Sequence, residues 1–355
     1  MQYTQTDLDK QILGLCIARI SFLDFNQKKN LIKKLDSPHS LALLSIEEIF
    51  KLAECEVKNR ALWKGAENLR MSQGAFRQCG KLGIKILFYD DDLYPEALRQ
   101  IPDPPFALFV RGDASLLSGR CISVVGTRRL SQAGRTAARA FCYEAALDGC
   151  NVVSGLAAGA DTYAHLGAID AFYDTAEGSA TENGERPALG HTIAVLPSGI
   201  DNIVPYTNKR LAASVLQSGG CIVSEYPPGS GTGKWQFIAR NRIVAGLSEA
   251  TVVIEAPAGS GALITADLAL EDGRDVMFHE AAFGLAASRI SEIVQDDLEK
   301  SFAVGRVSKY KMENTPKRFI SAGAPVIKDY KDYCKALVEA PGERSAPPVQ
   351  GELFT

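Results

Sequence analysis

The chain has 355 residues, of which 46% are hydrophobic, and a formal net charge of −3 at pH 7. This hydrophobic content supports a substantial folded core and excludes a wholly disordered protein. The charge excludes a globally basic protein, so a polyanionic partner would have to bind at a local cationic patch.

The cysteines and the apolar segments bear on location and on metal binding. Eight cysteines are scattered without a C-x-x-C pair, which favours reduced thiols and no metal site. The first residues lack a basic segment followed by an apolar one, and no window of about 18 apolar residues occurs. We therefore expect a cytoplasmic protein with no membrane partner.

The pattern of apolar residues changes along the chain. Residues 1–75 carry apolar positions at helical spacing, which predicts a small all-α domain. Two strand-like runs around a proline-rich bend follow. From residue 121, short β-branched runs alternate with alanine-rich stretches, the first of which predicts a helix from about Ser131 to Asp148. This alternation predicts a mainly parallel sheet covered by helices on both faces, an α/β, Rossmann-like fold.

The domain limits follow from composition. The second domain is expected to span residues 76–338, with a polar insertion at about residues 173–190, and residues 339–355 predict a flexible tail. In a doubly wound sheet, ligands bind beyond the carboxyl ends of the strands. The residues directly after each predicted strand are therefore the candidates for a functional site.

Two glycine-rich segments resemble nucleotide-binding motifs but depart from them. The turn after the first β-branched run has Arg128 where the dinucleotide fingerprint requires its second glycine. The segment GSGTGKW has Trp235 where a P-loop requires serine or threonine, and Pro228 where it requires glycine. We therefore expect no ATP and no redox cofactor.

The first turn is better suited to an anion. Between Ala114 and Tyr143 the sequence has no acidic residue and five arginines, namely Arg120, Arg128, Arg129, Arg135 and Arg139. Backbone N–H groups before a helix together with a guanidinium suit phosphate oxygens. This favours a phosphate contact for Arg128, whereas Arg135 and Arg139 are more typical of a solvated helix face.

A second cationic segment contains interleaved aromatic residues. Tyr226 to Ser248 has no carboxylate after Tyr226 and contains three cations and three aromatics, namely Lys234, Arg240, Arg242, Tyr226, Trp235 and Phe237. Cations that follow a backbone beside rings that stack on bases suit single-stranded nucleic acid. The alternative is that Trp235 and Phe237 close the sheet edge while Arg240 pairs with Glu225 or Glu255.

Acid–base candidates exist but do not form a recognisable catalytic set. Glu225 and Glu255 could act as general bases. Asp161 and His165 stand four residues apart on a predicted helix, a spacing more typical of a structural hydrogen bond than of a catalytic dyad. No nucleophile, base and orienting residue emerge together from the spacing.

A series of motifs over residues 83–337 resembles the DNA-processing protein A (DprA/Smf) family. In chain order they are GTR, SGLAAGADTYAH, TIAVLPSGID with PYTNKRL, SEYPPG, FIARNR and EAPAGSGALITADLALEDGRDV. The resemblance implies a non-enzymatic, cytoplasmic homodimer that binds and protects single-stranded DNA and loads RecA recombinase in natural transformation. It also implies that residues 1–75 are similar to a sterile-alpha-motif-like (SAM-like) domain.

The same resemblance assigns a DNA-binding site without catalytic residues, metal ligands or cofactor. It comprises Gly126, Thr127, Arg128, Ser131, Ser154, Gly155, Lys209, Lys234, Phe237, Arg240, Asn241, Arg242, Ser260 and Gly261. Three departures stand out: Ile238 replaces proline, Ala158 replaces an arginine, and too little chain follows for a winged helix. The alternative is a nucleotide-binding or phosphoribohydrolase-like enzyme, although Thr265 stands where that enzyme needs its glutamate.

Overall fold

The computed structural model describes residues 4–56, 62–178 and 189–339, and a nine-stranded sheet forms its centre. The strands are β1 (Lys85–Phe88), β2 (Ala107–Gly112), β3 (Cys121–Val125), β4 (Asn151–Ser154), β5 (Thr192–Gly199), β6 (Cys221–Tyr226), β7 (Ala250–Val253), β8 (Asp275–His279) and β9 (Val326–Ile327). Their order is β1-β2-β6-β5-β4-β3-β7-β8-β9, in which the pairs β1–β2 and β2–β6 are antiparallel and the other six pairs are parallel. The predicted Rossmann-like fold is confirmed.

Helices cover both faces of the sheet and form the amino-terminal region. They are α1 (Gln5–Ala18), α2 (Phe25–Ile32), α3 (Pro38–Leu43), α4 (Ile46–Leu52), α5 (Gly65–Leu82), α6 (Glu96–Arg99), α7 (Gln132–Leu147), α8 (Ala160–Gly178), α9 (Lys209–Gln217), α10 (Lys234–Gly246), α11 (Gly261–Glu271), α12 (Leu285–Ala303), α13 (Lys309–Glu313), α14 (Pro316–Ser321) and α15 (Tyr330–Val338). Within the described residues, no helix is long and apolar enough to cross a membrane.

Successive residues of the central strands enter two different cores. Val124 of β3 packs with Phe141 of α7 and the alanines of α8, whereas Val125 packs in the core that contains α10 and α11. Because side chains alternate across a strand, a strand buried on both faces must be apolar throughout. This explains the continuous β-branched runs in the sequence.

The amino-terminal helices pack directly on the sheet region. Gly14 of α1 lies under the ring of Phe88, where a Cβ atom would be 2.5 Å from the ring. Helix α5 runs without a break across the boundary expected between residues 75 and 76, so the helical region continues to Leu82. Helix α8 occupies the start of the expected insertion up to Gly178. Residues 179–188 of the insertion and 340–355 of the expected tail lie outside the described residues.

The strand order determines where a site can form. The order β5-β4-β3-β7-β8-β9 is that of a Rossmann fold, in which the connections diverge on either side of the first strand, here between β3 and β7. Diverging connections leave a crevice beyond the carboxyl ends of these two strands. The crevice is bordered by the turns that follow Val125, Ser154 and Val253.

His165 is a buried polar residue whose protonation is coupled to folding. The Thr192 hydroxyl donates to the carbonyl of Val152 (3.1 Å) and therefore accepts from His165 Nδ1 (2.6 Å). His165 Nε2 is buried without a partner among the described residues. Burial lowers the pKa of His165 to about 3, since a second proton would create an unpaired buried charge.

This depressed pKa predicts that acid destabilises the protein. Below about pH 6.5 the unfolded chain binds a proton that the folded His165 does not, so the stabilising contribution is lost as the pH falls from about 6.5 towards 3. We expect His165 to account for about 2 kcal/mol of lost unfolding free energy between pH 7 and 5.

Urea unfolding at the two pH values measures this effect. The difference should shrink in His165→Gln and persist in His39→Gln, because His39 is exposed. An unchanged difference in His165→Gln would contradict the assignment.

Candidate nucleic-acid interface

The turn between β3 and α7 is fixed by a carboxylate at the end of β7. Glu255 accepts a hydrogen bond from the backbone N–H of Ser131 (2.9 Å) and another from the Ser131 hydroxyl. Ser131 caps α7 by accepting from the N–H of Gly134 at 3.0 Å. Because α7 begins at Gln132, Arg128 and Arg129 lie in the turn before the helix, where both are exposed.

Arg240 of α10 is buried and is bonded to the backbone just after β4 and within β5. Its Nη1 donates to the carbonyl of Gly155 at 2.6 Å and also to that of Val195. Burial lowers the pKa of this guanidinium, and the nearby carboxylate of Asp161 opposes that shift. The alternative pairing of Arg240 with Glu225 or Glu255 is therefore wrong.

Arg242, and not Arg240, pairs with Glu225. Its guanidinium donates to both oxygens of Glu225, at 2.7 and 3.0 Å, and to Asp103 at 2.9 Å. Burial alone would lower the pKa of Arg242, but the charges of Glu225 and Asp103 raise it. The absence of carboxylates near Arg242 in the sequence is thus misleading, since both partners come from distant segments.

A pocket of about 420 Å³ lies at the crevice between β3 and β7. The Arg128 guanidinium lies 5.8 Å from the centroid of the Phe237 ring, within the range of a cation–π contact. Asn241 donates to the carbonyl of Gly261 at 3.4 Å, joining α10 to the start of α11. The two segments that the sequence separates by about a hundred residues therefore line one pocket.

Most of the predicted site residues line this pocket: Gly126, Thr127, Arg128, Gly155, Phe237, Arg240, Asn241, Ser260 and Gly261. The others lie outside the lining. Ser131 and Ser154 stand behind it, the latter donating to the carbonyl of Val124 at 2.7 Å. Lys209 lies at the start of α9, with its ammonium 4.3 Å from the Tyr206 ring centroid. Lys234 is exposed at the start of α10 and has no ion pair among the described residues.

Several of the residues that line the pocket were not assigned to the site from the sequence. Arg129, Ile238 and Thr265 line the pocket although they were not assigned to it. Asp161 also lines it and accepts from the N–H of Ala157 at 3.2 Å. Burial raises the pKa of Asp161, and the charge of Arg240 opposes that shift. Adjacency to Arg128 could have identified Arg129, but nothing in the sequence places Asp161 beside Arg240.

The start of α11 presents unpaired polar groups to the pocket. Ser260 is the residue before α11, yet its side chain makes no capping hydrogen bond. Its hydroxyl oxygen is buried and has no partner among the described residues. Free N–H groups at a helix start and an unpaired hydroxyl suit an anionic oxygen.

The acid–base candidates are engaged in structural contacts. Glu225 pairs with Arg242, Glu255 holds Ser131, and His165 bonds Thr192 rather than Asp161. Among the described residues, no group of three or more His, Cys, Asp or Glu side chains is arranged to hold a metal ion.

A pair of glycine substitutions tests the role of Arg240. A Cβ on Gly155 would lie 2.4 Å from Arg240 Nη1, whereas a Cβ on Gly261 would meet no atom within 4 Å. We expect Gly155→Ala to cost about 1–3 kcal/mol of unfolding free energy because it displaces a buried, bonded guanidinium. Gly261→Ala should be neutral or slightly stabilising. Urea unfolding of both variants measures the difference, and equal costs would contradict this packing.

Known proteins are similar to this chain in sequence and in fold. The sequence family described as DNA recombination-mediator protein A matches residues 85–337. Protein Smf of Borreliella burgdorferi is 32% identical over 278 residues, covering 76% of this chain and 79% of that protein. DNA processing protein DprA of Bacillus subtilis is 38% identical over 195 residues, covering 55% of this chain and 60% of that protein.

Solved structures agree with the sequence comparison. DNA processing protein A of Streptococcus pneumoniae superposes with a TM-score of 0.61 at 26% identity, covering 94% of this chain and 98% of that one. DNA processing protein A of Helicobacter pylori shares the fold, with a TM-score of 0.51 at 23% identity, covering 72% of this chain and 95% of that one. The chain belongs to the DNA recombination-mediator protein A (DprA/Smf) family.

Proposed function

We propose that this protein binds single-stranded DNA along a groove formed by the pocket and the exposed start of α10. The observation that carries the proposal is the contact between Arg128 and Phe237. It places a cation for phosphate and a ring for a base on the same pocket, which is the combination that single-stranded nucleic acid requires. DNA processing protein A of Helicobacter pylori, which shares this fold, has a described single-stranded DNA binding mode.

The groove offers phosphate contacts from three separate elements. Arg128 comes from the β3–α7 turn, Lys234 from the start of α10, and Ser260 with the N–H groups after it from the start of α11. These contacts do not read base identity, so binding should tolerate any sequence and weaken with salt.

The other predicted site residues are proposed to hold this groove in shape or to extend it. Arg240, Gly155 and Asn241 fix α10 against the strand ends and against α11. Ser131 and Ser154 fix the turns behind the pocket, and Arg242 anchors α10 to β6 through Glu225. Lys209, which lies outside the lining, is proposed to contact DNA beyond the pocket.

The cellular role proposed for the protein rests on its family. We propose a cytoplasmic homodimer that protects incoming single strands and loads RecA recombinase onto them during natural transformation. The description of the family as recombination mediators supports this role. It is tested by measuring RecA-dependent strand exchange with and without the protein.

A small nucleotide is a second candidate ligand. The pocket volume of about 420 Å³ lies within the range of small-molecule sites. A pocket that prefers a mononucleotide would bind AMP as tightly as it binds a longer strand. Competition between AMP and oligo-dT therefore distinguishes the two ligands.

The DNA-binding proposal predicts a specific change in salt dependence. Arg128→Ala and Lys234→Ala should each weaken binding to all sequences and reduce the slope of log K against log salt by about 0.7, the share of one phosphate on a single strand. Fluorescence anisotropy of labelled oligo-dT across a salt series measures both effects. Arg139→Ala is the matched control, because this exposed arginine on α7 pairs with Asp170 away from the pocket. A loss confined to particular bases, or an equal loss in the control, would contradict the proposal.

We also propose that the protein is not an enzyme, and that the purified protein turns over no nucleotide. The structural engagement of Glu225, Glu255 and His165 supports this expectation. Release of base or phosphate from nucleotides can be followed by chromatography. Robust hydrolysis that disappears in Glu255→Gln would overturn the proposal and favour the phosphoribohydrolase-like alternative.

A further inference from the structure

Trp235 is a large aromatic residue that the fold leaves on the surface. It lies in the first turn of α10 and is 65% exposed. Its ring contacts the Tyr226 ring nearly at right angles, with 6.1 Å between centroids. The alternative in which Trp235 and Phe237 close the sheet edge therefore fails for Trp235, since most of its surface faces solvent. Exposing an indole to water costs free energy, and contact of the ring with a bound molecule would offset that cost.

The position of Trp235 is continuous with the pocket. Ile238 is 55% exposed, lines the pocket and lies three residues after Trp235 on the same helix. Residues at this spacing are neighbours on a helix surface. Ile238 therefore joins the lining of the pocket to the indole of Trp235 on the surface of α10.

The first turn of α10 holds the indole in place. Gln236 is buried, and its side-chain oxygen accepts from the backbone N–H of Gly233. A Cβ on Gly233 would lie 2.9 Å from Trp235 Nε1, so the indole packs closely over this glycine. The indole thus contacts both Gly233 and the Tyr226 ring.

We propose that Trp235 is a second base-stacking platform, which receives a base of the strand as it leaves the pocket. The proposal rests on the proposed single-stranded DNA binding. Charge favours this occupant over an apolar protein surface, because Lys234 stands next to Trp235 with no ion pair among the described residues and Arg128 lies beside Phe237 in the pocket. Phe237 and Trp235 together form a stacking track flanked by cations.

The chain has two tryptophans, Trp63 and Trp235, which allows a direct optical test. Trp63 lies in the amino-terminal region, where its Nε1 donates to the carbonyl of Leu44 at 3.0 Å. In Trp63→Phe the remaining indole emission comes from Trp235. Titration with oligo-dT should quench this emission, while an abasic oligonucleotide of equal length should bind through its phosphates with little quenching. If Trp63→Phe fails to fold, the difference between wild type and Trp235→Leu gives the same signal.

Affinity measurements by anisotropy of labelled oligo-dT complete the test. Trp235→Ala should weaken binding roughly 5- to 150-fold, the range of one lost stacked base, and leave the salt slope unchanged. Trp235→Phe should restore most of the affinity. Leu285→Ala, which alters a residue 68% exposed at the start of α12, should have no effect.

The outcomes separate this inference from the DNA-binding proposal. If wild type binds oligo-dT but Trp235→Ala binds equally well and Trp235 emission is unquenched, the stacking platform is overturned and DNA binding stands. In that case the exposed ring of Trp235 would be assigned to contact with a protein partner. If wild type does not bind oligo-dT, the proposed function and this inference fall together.

Discussion

The buried guanidinium of Arg240 is the interaction on which the geometry of the site depends. A buried charge is tolerated only when it is hydrogen-bonded, and Arg240 meets this requirement through the carbonyls of Gly155 and Val195. These bonds fix α10 to the carboxyl end of β4 and to the middle of β5. The position of α10 in turn places Phe237 within 5.8 Å of Arg128. Gly155 is part of the same constraint, because any side chain there would occupy the space of the guanidinium.

The site also depends on which of its cations are neutralised by carboxylates and which stay exposed. The protein as a whole is slightly acidic, so long-range attraction to a polyanion has to come from a few local cations. Carboxylates neutralise Arg242 and Arg139 in ion pairs, whereas Arg128 and Lys234 stay exposed. Arg128 lines the crevice where the connections of the parallel sheet diverge, and Lys234 lies at the start of α10, outside the lining. The crevice formed by the strand order and the exposed cation Arg128 thus lie at the same edge of the sheet.

The sequence was sufficient for the sheet and for the first helix after β3. Continuous β-branched runs predicted the central strands, and Ser131 marked the start of α7, because a serine cap and a strand buried on both faces leave local signals. The sequence did not show that Lys234, Arg240 and Arg242, which lie on one helix, differ in exposure and in bonding partners. The partners of Arg240 and Arg242 come from β5, β6 and the segment around Asp103, and such contacts have no local signature. The sequence also gives no local sign that α5 continues past an internal glycine, Gly74, to Leu82.

The structure of a complex with a short oligo-dT would test the central claim most directly. The account predicts a phosphate oxygen within hydrogen-bond distance of the Arg128 guanidinium and a thymine stacked on the Phe237 ring. It also predicts that Arg240 keeps its bonds to Gly155 and Val195 in the complex. A strand bound at another surface, with the crevice between β3 and β7 empty, would contradict the account.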